Sequence, residues 1–210
     1  MNPRLIVFDL DGTLSDSQHT IVAVFQQVAR QVGCSSLQDD AIAALIGLPL
    51  QQMFQRLMPD RDPFPLIGAF RDAYPAVEAQ HTQLFSGIDT LLKHLHATKT
   101  MLAIATSKGQ SAADEWVRLF ELSPVFSLVV GHVPSRRSKP HPDMLLHVLD
   151  TLRVKPSHAV MVGDTTFDLQ MAHAAGVRAV GVSWGSHSVD ALSQWGPVAR
   201  DVAHLQQLLG

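Results

Sequence analysis

The sequence predicts an α/β fold, in which a doubly wound parallel sheet carries an inserted all-helical segment. Three observations support this prediction. From residue 84 onward, apolar runs of strand length alternate with amphipathic stretches of helix length. Between residues 16 and 83 that alternation stops and the pattern is helical. Several apolar runs end in acidic, hydroxyl or lysine residues, which favours a binding site at the carboxyl ends of the strands.

The elements follow in chain order. The apolar run at residues 5–8 predicts a buried first strand. The inserted segment predicts four helices, roughly at residues 18–32, 38–46, 50–58 and 64–80, with no convincing strand. Downstream, strands are expected at residues 101–105, 126–130, 159–162 and 178–182, and helices at residues 88–97, 111–122, 142–152 and 167–175. Gly176 follows the last of these helices, as is typical of a helix C-terminus.

This pattern predicts two domains. Residues 1–15 and 84–210 form the α/β core, and residues 16–83 form an inserted helical domain. The chain crosses between them twice, near residues 15–17 and 80–87, where we expect hinges. The segment Gly47-Leu48-Pro49-Leu50 interrupts two of the inserted helices. It is either a loop that dips toward a substrate or a simple turn between helices.

Two carboxylates follow the first strand, in Asp9-Leu10-Asp11-Gly12-Thr13-Leu14. Residues two apart on a strand project to the same side, so Asp9 and Asp11 would repel each other unless a cation or a reacting group lies between them. Gly12 permits a sharp turn. Asp-Gly is also common turn chemistry, so this motif alone leaves both interpretations open.

Three later segments supply what a carboxylate nucleophile would need. Thr106-Ser107 follows an apolar run and offers hydroxyls, and at the entry to a helix it would also offer free backbone donors for phosphate oxygens. Lys139 follows the apolar run at residues 126–130 after a loop. Asp164 and Asp168 lie at the start of a helix after the run at residues 159–162. The sequence therefore places a hydroxyl, a lysine and four acids at strand ends.

In this order, the four motifs resemble the haloacid dehalogenase superfamily, in its phosphatase branch close to phosphoglycolate phosphatase and pyrophosphatase. The resemblance runs from Leu5 to about Ser183 and implies a Rossmann-like core with a helical cap that closes over the active site. It implies that Asp9 is the nucleophile and Asp11 the general acid and base. Thr106, the amide of Ser107 and Gly12 would bind the phosphoryl group, which Lys139 would bridge to Asp9.

The resemblance also implies a magnesium ion held by Asp9, the Asp11 carbonyl and Asp164, with Asp168 close by. Magnesium prefers oxygen ligands and usually keeps several waters. A divalent cation together with Lys139 would lower the repulsion between an anionic carboxylate and an anionic phosphate ester. The substrate implied is a small phosphorylated metabolite, which the sequence does not identify. Arg136 and Arg137 are further candidates, because they precede Lys139 and would add positive potential near the phosphate; the alternative is a solvated loop. His187 is another, because Trp184-Gly185-Ser186-His187 follows the strand at residues 178–182; the alternative is ordinary loop packing.

Other activities in this superfamily fit less well. Dehalogenases lack the second aspartate of the first motif, which this chain has as Asp11. Phosphonate hydrolases use a cap lysine, and residues 1–92 contain no lysine. A sugar phosphomutase of the β-phosphoglucomutase type remains an alternative. Such mutases hold the second phosphate of the substrate with a Ser-Arg pair in the cap loop, where this chain has Pro49-Leu50. Arg56 or Arg71 would then have to hold that phosphate. A catalytically silent binding protein would be expected to have lost Asp9 or Lys139.

Composition sets the remaining bounds. With 210 residues, of which 46% are hydrophobic, the chain is long enough to bury a sizeable core. A net charge of −3 and the absence of a basic run disfavour partners such as nucleic acid and anionic membranes. The single cysteine, Cys34, excludes an internal disulfide, and no leader or membrane span is visible, so a cytoplasmic protein is expected. It is expected to be a monomer or a weak homodimer.

Overall fold

The central feature of the fold is a six-stranded parallel sheet. The structure is a computed structural model that describes residues 3–34 and 37–210, without the side chains of residues 79 and 80. The strands of the sheet are β1 (Leu5–Phe8), β4 (Met101–Gly109), β5 (Leu128–His132), β6 (Ala159–Gly163), β7 (Arg178–Val182) and β8 (Val198–Ala199). Their order across the sheet is β5-β4-β1-β6-β7-β8. The predicted doubly wound α/β fold is confirmed.

Helices cover both faces of the sheet. They are α5 (Ile88–Ala97), α6 (Gln110–Leu119), α7 (Asp143–Leu152), α8 (Thr166–Ala174), α9 (Val189–Ser193) and α10 (Val202–Leu209). Successive residues of β1 pack on opposite faces, because side chains alternate along a strand. Ile6 and Phe8 belong to one apolar cluster, and Leu5 and Val7 belong to the other. The strand is thereby buried on both faces, as its continuous apolar run predicts.

The segment between the first two strands of the core is helical, as expected. Its helices are α1 (Gln18–Gln31), α2 (Asp39–Ala43), α3 (Leu50–Leu57) and α4 (Pro63–His81). They enclose a third apolar cluster, in which the Phe25 ring lies 4.5 Å from the Phe54 ring and 5.0 Å from the Phe70 ring, measured between centroids. We call residues 16–83 the cap.

The expectation of no strand in this region is wrong at its two ends. Short strands β2 (Ser15–Asp16) and β3 (Gln83–Leu84) pair antiparallel where the chain enters and leaves the cap. The Phe85 amide also donates to the Leu14 carbonyl at 3.1 Å. Two-residue strands are too short to show the alternation from which strands are predicted. The two crossings are therefore tied to each other by backbone hydrogen bonds.

The strands with their predicted side chains end on one edge of the sheet, beneath the cap. Strands β4, β1 and β6 are neighbours, and all pair in parallel, so their carboxyl ends meet. The predicted helices were too long at two C-terminal boundaries, since α2 ends at Ala43 and not at residue 46, and α6 ends at Leu119 and not at residue 122. Across residues 3–34 and 37–210, every helix is too short or too polar to cross a lipid bilayer.

Candidate active site

Asp9 lies immediately after β1, at the centre of the sheet edge. Its amide donates to the Val162 carbonyl of β6 at 2.8 Å, which holds the backbone in place beyond the last strand residue. Its carboxylate is only 2% exposed. The Lys139 Nζ lies 2.6 Å from Asp9 Oδ1, and the lysine side chain is fully buried. Residues 130 positions apart in the chain thus form a buried ion pair.

Three buried carboxylates converge at this point, and we call them the acid cluster: Asp9, Asp164 and Asp168. Each offers an oxygen within 4.8 Å of the oxygens of the other two. Lys139 Nζ also lies 2.5 Å from Asp168 Oδ1, so one ammonium group bridges two of the three acids. Among the described residues, Lys139 is the cation that these carboxylates contact, so the cluster keeps an excess of negative charge.

The excess negative charge of the acid cluster indicates whether a cation would fit there. Buried charges are costly unless they are paired, and three carboxylates beside one ammonium group are incompletely paired. A hard divalent cation prefers oxygen ligands of this kind, and the cluster offers no histidine or cysteine. The residues present therefore fit magnesium. Their role as ligands remains a prediction.

The pKa values of these groups follow from burial and from their neighbours. Burial raises the pKa of the Asp9 carboxyl well above its usual range, and the attraction of Lys139 only partly offsets this, while Asp168 and Asp164 add to it. Burial also raises the pKa of Asp164 to about 6. Burial opposes the charge of Lys139, but Asp168 and Asp9 outweigh it and raise the pKa of its ammonium group. Lys139 therefore stays protonated.

Neighbouring hydrogen bonds orient the other two acids. Asp168 Oδ2 accepts from the Thr165 hydroxyl at 2.6 Å and from the Thr165 amide at 3.1 Å, as part of a capping box at the start of α8. Asp164 Oδ1 accepts from the Thr13 hydroxyl at 2.9 Å, and its Oδ2 accepts from the Ser186 amide at 2.8 Å. Both side chains are held in fixed orientations.

Asp11 occupies a different position from the one expected. Asp9 and Asp11 do not lie on one continuous strand, because β1 ends at Phe8 and the chain then turns. The turn is closed where the amides of Leu14 and Ser15 donate to the Leu10 carbonyl at 3.0 and 2.9 Å. Asp9 and Asp11 were expected to project to the same side because both lie on one strand. That premise is wrong, because neither residue belongs to β1. Asp11 lies at the base of the cap, and its carboxylate is 15% exposed.

Gly12 turns the chain at the place where the backbone must pass the acid cluster. Its φ is +84°, which favours glycine, and a Cβ on it would overlap the Asp164 carboxylate. The Gly12 amide donates to the Ser15 carbonyl at 2.8 Å, so that donor is used within the turn. What Gly12 provides is a close approach of the backbone to Asp164, and its part in phosphate binding stays a prediction.

Thr106 and Ser107 are buried at the same edge, but they do not lie at a helix entry as expected. Strand β4 continues to Gly109, with a shift in its pairing between Ala105 and Gly109. The Ser107 hydroxyl donates to the carbonyl of Gly47 at 2.5 Å. Thr106 Oγ1 accepts from the amide of Lys108 at 3.2 Å.

The bond to Gly47 brings the loop at residues 47–50 to the sheet edge. Gly47 has a φ of +99°, and a Cβ there would lie 3.0 Å from the Thr165 Cγ2 atom. Leu48 is buried. This segment thus approaches the core and is more than a turn between helices. Its backbone contacts Ser107, one of the residues expected to bind phosphate.

The loop after β7 also borders the acid cluster. Its Ser186 amide donates to Asp164 Oδ2, and its Trp184 Nε1 donates to the Thr13 carbonyl at 3.1 Å. His187 Nδ1 accepts from the Thr166 amide at 3.1 Å, and its Nε2 lies 3.4 Å from the Ala44 carbonyl of the cap. His187 therefore reaches the junction of core and cap.

The two arginines before Lys139 lie elsewhere. Arg137 forms hydrogen bonds of 2.9 and 2.8 Å to Asp143 and is exposed. Arg136 lies 3.4 Å from the carbonyl of Gly131. In the part of the chain that the structure describes, neither has a hydrogen bond or ion pair with the acid cluster.

Lys108 is a functional candidate that the sequence analysis missed. Its side chain is only 9% exposed, and its Nζ lies 3.4 Å from Asp11 Oδ1, 3.0 Å from the Tyr74 hydroxyl and 3.6 Å from Glu78 Oε1. A lysine directly after the Thr106-Ser107 pair was the available signal. Its partners on α4 are remote in sequence and left no pattern of their own.

Comparison with known proteins agrees with this geometry. A model of the family described as haloacid dehalogenase-like hydrolase matches residues 6–182. The probable phosphatase IndB of Dickeya dadantii is 36% identical over 194 residues, covering 90% of this chain and 84% of that protein. The phosphoglycolate phosphatase of Aquifex aeolicus is 28% identical over 182 residues, covering 87% of this chain and 85% of that protein.

Two further comparisons concern a longer protein and a solved structure. The tyrosine-protein kinase PtkA of Mycobacterium tuberculosis is 33% identical over 189 residues, covering 90% of this chain. This chain spans 65% of the length of that relative. The solved structure of a haloacid dehalogenase-like hydrolase from Streptococcus pneumoniae has a TM-score of 0.88 and 28% identity, with 98% of each chain covered.

Proposed function

This chain belongs to the haloacid dehalogenase-like hydrolase family, and we propose that it is a magnesium-dependent phosphatase that acts on a small phosphorylated metabolite. The observation that carries the proposal is the acid cluster with Lys139 bonded to Asp9 at 2.6 Å. A buried carboxylate with a protonated lysine beside it is suited to attack an anionic ester. The names of the relatives IndB and phosphoglycolate phosphatase support the same activity.

In this proposal, Asp9 is the nucleophile. Its free oxygen attacks phosphorus, the bond to the leaving oxygen breaks, and an aspartyl-phosphate forms. Lys139 neutralises part of the negative charge on the attacking and transferred groups, while Thr106 and the Ser107 amide hold the phosphoryl oxygens. Magnesium, held by Asp9, Asp164, Asp168 and the Asp11 carbonyl, would supply further charge neutralisation when bound.

Asp11 transfers the protons. As the first bond breaks, Asp11 donates a proton to the leaving alkoxide, so the product departs as an alcohol. The resulting Asp11 carboxylate then takes a proton from a water molecule, whose oxygen attacks the aspartyl-phosphate and releases inorganic phosphate. Asp9 is regenerated as a carboxylate and Asp11 as an acid. The cap, proposed as residues 16–83, would exclude bulk water from the site during the first step.

The first test is metal dependence. Phosphate release from a panel of phosphorylated metabolites is expected to vanish in excess chelator, because the acid cluster would then keep its uncompensated charge. It should return when magnesium is added in excess of the chelator. Recovery with zinc but not magnesium, or full activity in chelator, would contradict the assignment of the acid cluster to magnesium.

The second test concerns the acceptor. The segment that reaches Ser107 is Gly47-Leu48-Pro49-Leu50, which has no cation to hold the second phosphate of a sugar bisphosphate. We therefore expect water to be the acceptor. Given a sugar phosphate with a catalytic amount of its bisphosphate, the protein should release inorganic phosphate if it acts on it. Isomerisation more than about tenfold faster than release, equivalent to roughly 1.4 kcal/mol, would favour a phosphomutase.

A further inference from the structure

The proposed reaction assigns no role to Lys108, although the side chain of this residue is largely buried next to the site. It lies in β4, beside the predicted phosphate-binding residues, yet its ammonium group contacts none of the acid cluster. Its Nζ lies instead 3.4 Å from Asp11 Oδ1, on the core side, and 3.0 Å from the Tyr74 hydroxyl, on the cap side. A lysine that is 9% exposed and has partners on both sides joins the two parts of the molecule.

The cap side of this contact is built from one face of α4. Tyr74 and Glu78 are four residues apart, so they lie on the same face of the helix. The Lys108 Nζ is 3.6 Å from Glu78 Oε1 and 4.3 Å from the centroid of the Tyr74 ring. Tyr74 is 8% exposed. We call these three residues, Lys108, Tyr74 and Glu78, the cap-core latch.

The charges of the latch support a lasting contact. Burial by itself disfavours the ammonium form of Lys108, but Asp11, Tyr74 and Glu78 outweigh it and raise its pKa. Burial raises the pKa of the Tyr74 hydroxyl, which therefore stays neutral. A buried ammonium group that lost these partners would be incompletely paired, which is costly. Lys108 therefore favours the arrangement in which the cap lies against the core.

Asp11 belongs to the core, and its Oδ1 atom has two donors. It accepts from the Ser17 hydroxyl at 2.8 Å and from Lys108 at 3.4 Å. Asp11 Oδ2 accepts no hydrogen bond from the residues that the structure describes. The donors on Oδ1 fix the rotation of the carboxyl group and leave Oδ2 to face a reacting group.

We propose that Lys108 is a positioning residue, which couples the docking of cap helix α4 to the orientation of the Asp11 carboxyl group. With Tyr74 and Glu78 in contact, Lys108 holds Asp11 Oδ1, and Oδ2 exchanges the proton with the leaving group. When the cap moves away, Lys108 loses its cap partners and is no longer held against Asp11 Oδ1, so the carboxyl group keeps only the Ser17 hydroxyl as a donor. This inference rests on the proposed role of Asp11, whereas the contact between cap and core stands without it.

The kinetic test compares two esters in single-turnover experiments with magnesium. The alcohol leaving from 2-phosphoglycolate needs a proton, whereas the 4-nitrophenolate leaving from 4-nitrophenyl phosphate does not. In Lys108→Met, aspartyl-phosphate formation should fall about tenfold to a hundredfold with 2-phosphoglycolate and less than about threefold with 4-nitrophenyl phosphate. Lys108→Arg should recover part of the loss. Lys93→Met, which changes an exposed lysine paired with Asp89, is the matched control and should behave as the wild type.

The cap side is tested with Tyr74→Phe and Glu78→Gln, which keep the size of each side chain. Each should lower the rate with 2-phosphoglycolate in the same leaving-group-dependent way, by a smaller factor. In the Lys108→Met background neither should cause a further loss, because residues that act as one unit are not additive. Equal losses with both esters, or additive losses, would overturn the proposed coupling.

A third measurement does not depend on catalysis. Amide hydrogen exchange in α4 should become faster in Lys108→Met, while exchange in β1 stays unchanged, because only docking of the cap is weakened. Unchanged exchange in α4 would overturn the latch. If the wild type hydrolyses neither ester but α4 exchanges faster in Lys108→Met, the latch stands and the proposed function fails.

Discussion

Replacing Asp9 with asparagine is expected to abolish turnover, by at least about 10,000-fold in kcat. The amide has nearly the same shape as the carboxylate but is a poor nucleophile, so no aspartyl-phosphate can form on it. Phosphate release with magnesium measures the loss, and acid-quenched mass spectrometry of the protein measures the covalent intermediate. Neither signal should rise above background.

The same variant should not be less stable than the wild type when no metal is present. Burial and the neighbouring acids oppose a charge on Asp9 and raise its pKa, so a neutral amide of the same shape removes that cost together with the ion pair to Lys139. Lys139 also keeps Asp168 as a partner at 2.5 Å. The midpoint of thermal unfolding in chelator should therefore stay equal or rise. A large fall in that midpoint would mean that the loss of activity reports unfolding and not the missing nucleophile.

The Asp11→Asn variant is expected to differ from Asp9→Asn in the step that it blocks. It keeps the nucleophile but cannot take a proton from water, so it should form the aspartyl-phosphate with 4-nitrophenyl phosphate and hydrolyse it slowly. The trapped phosphate should map to Asp9. Phosphate found on Ser107 or on a histidine would contradict the proposed mechanism, since Asp9 would then not be the group that attacks.

The sheet and the acid cluster could be predicted because both follow from local patterns. Apolar runs predict buried parallel strands, and the carboxyl ends of such strands meet at one edge. The sequence therefore placed Asp9, Lys139, Asp164 and Asp168 near one another, and the structure places them together. What each residue does in a reaction remains a prediction.

The contacts between cap and core could not be predicted in this way. The bond from Ser107 to Gly47 joins residues 60 positions apart, and the bond from Lys108 to Tyr74 joins residues 34 positions apart. Such contacts depend on how the apolar cluster of the cap is oriented against those of the core. The hydrophobic periodicity of the sequence carries no information about that orientation. The extension of β4 to Gly109 was missed for a related reason, because Thr106-Ser107 is polar and interrupts the apolar run.

The second large effect is expected for Lys139→Met. Methionine has a similar length and no charge, so the buried Asp9 and Asp168 lose the ammonium group that lies 2.6 and 2.5 Å from them. Removing one partner of a buried ion pair typically costs about 3 to 5 kcal/mol. The free energy of unfolding in chelator should fall by that amount. Lys93→Met, which removes an exposed lysine with a side chain 72% accessible, should change it by less than about 1 kcal/mol.

Activity and stability should respond differently to magnesium in this variant. Added magnesium is expected to restore much of the lost stability, because a cation at the acid cluster compensates the charge that Lys139 left. It should not restore turnover, since Lys139 also neutralises the transferred phosphoryl group, and kcat should stay at least about 1,000-fold below the wild type. A variant that regained both stability and turnover with magnesium would show that Lys139 only balances charge in the resting protein. Loss of turnover in a protein that magnesium has stabilised would instead place the lysine in the reaction itself.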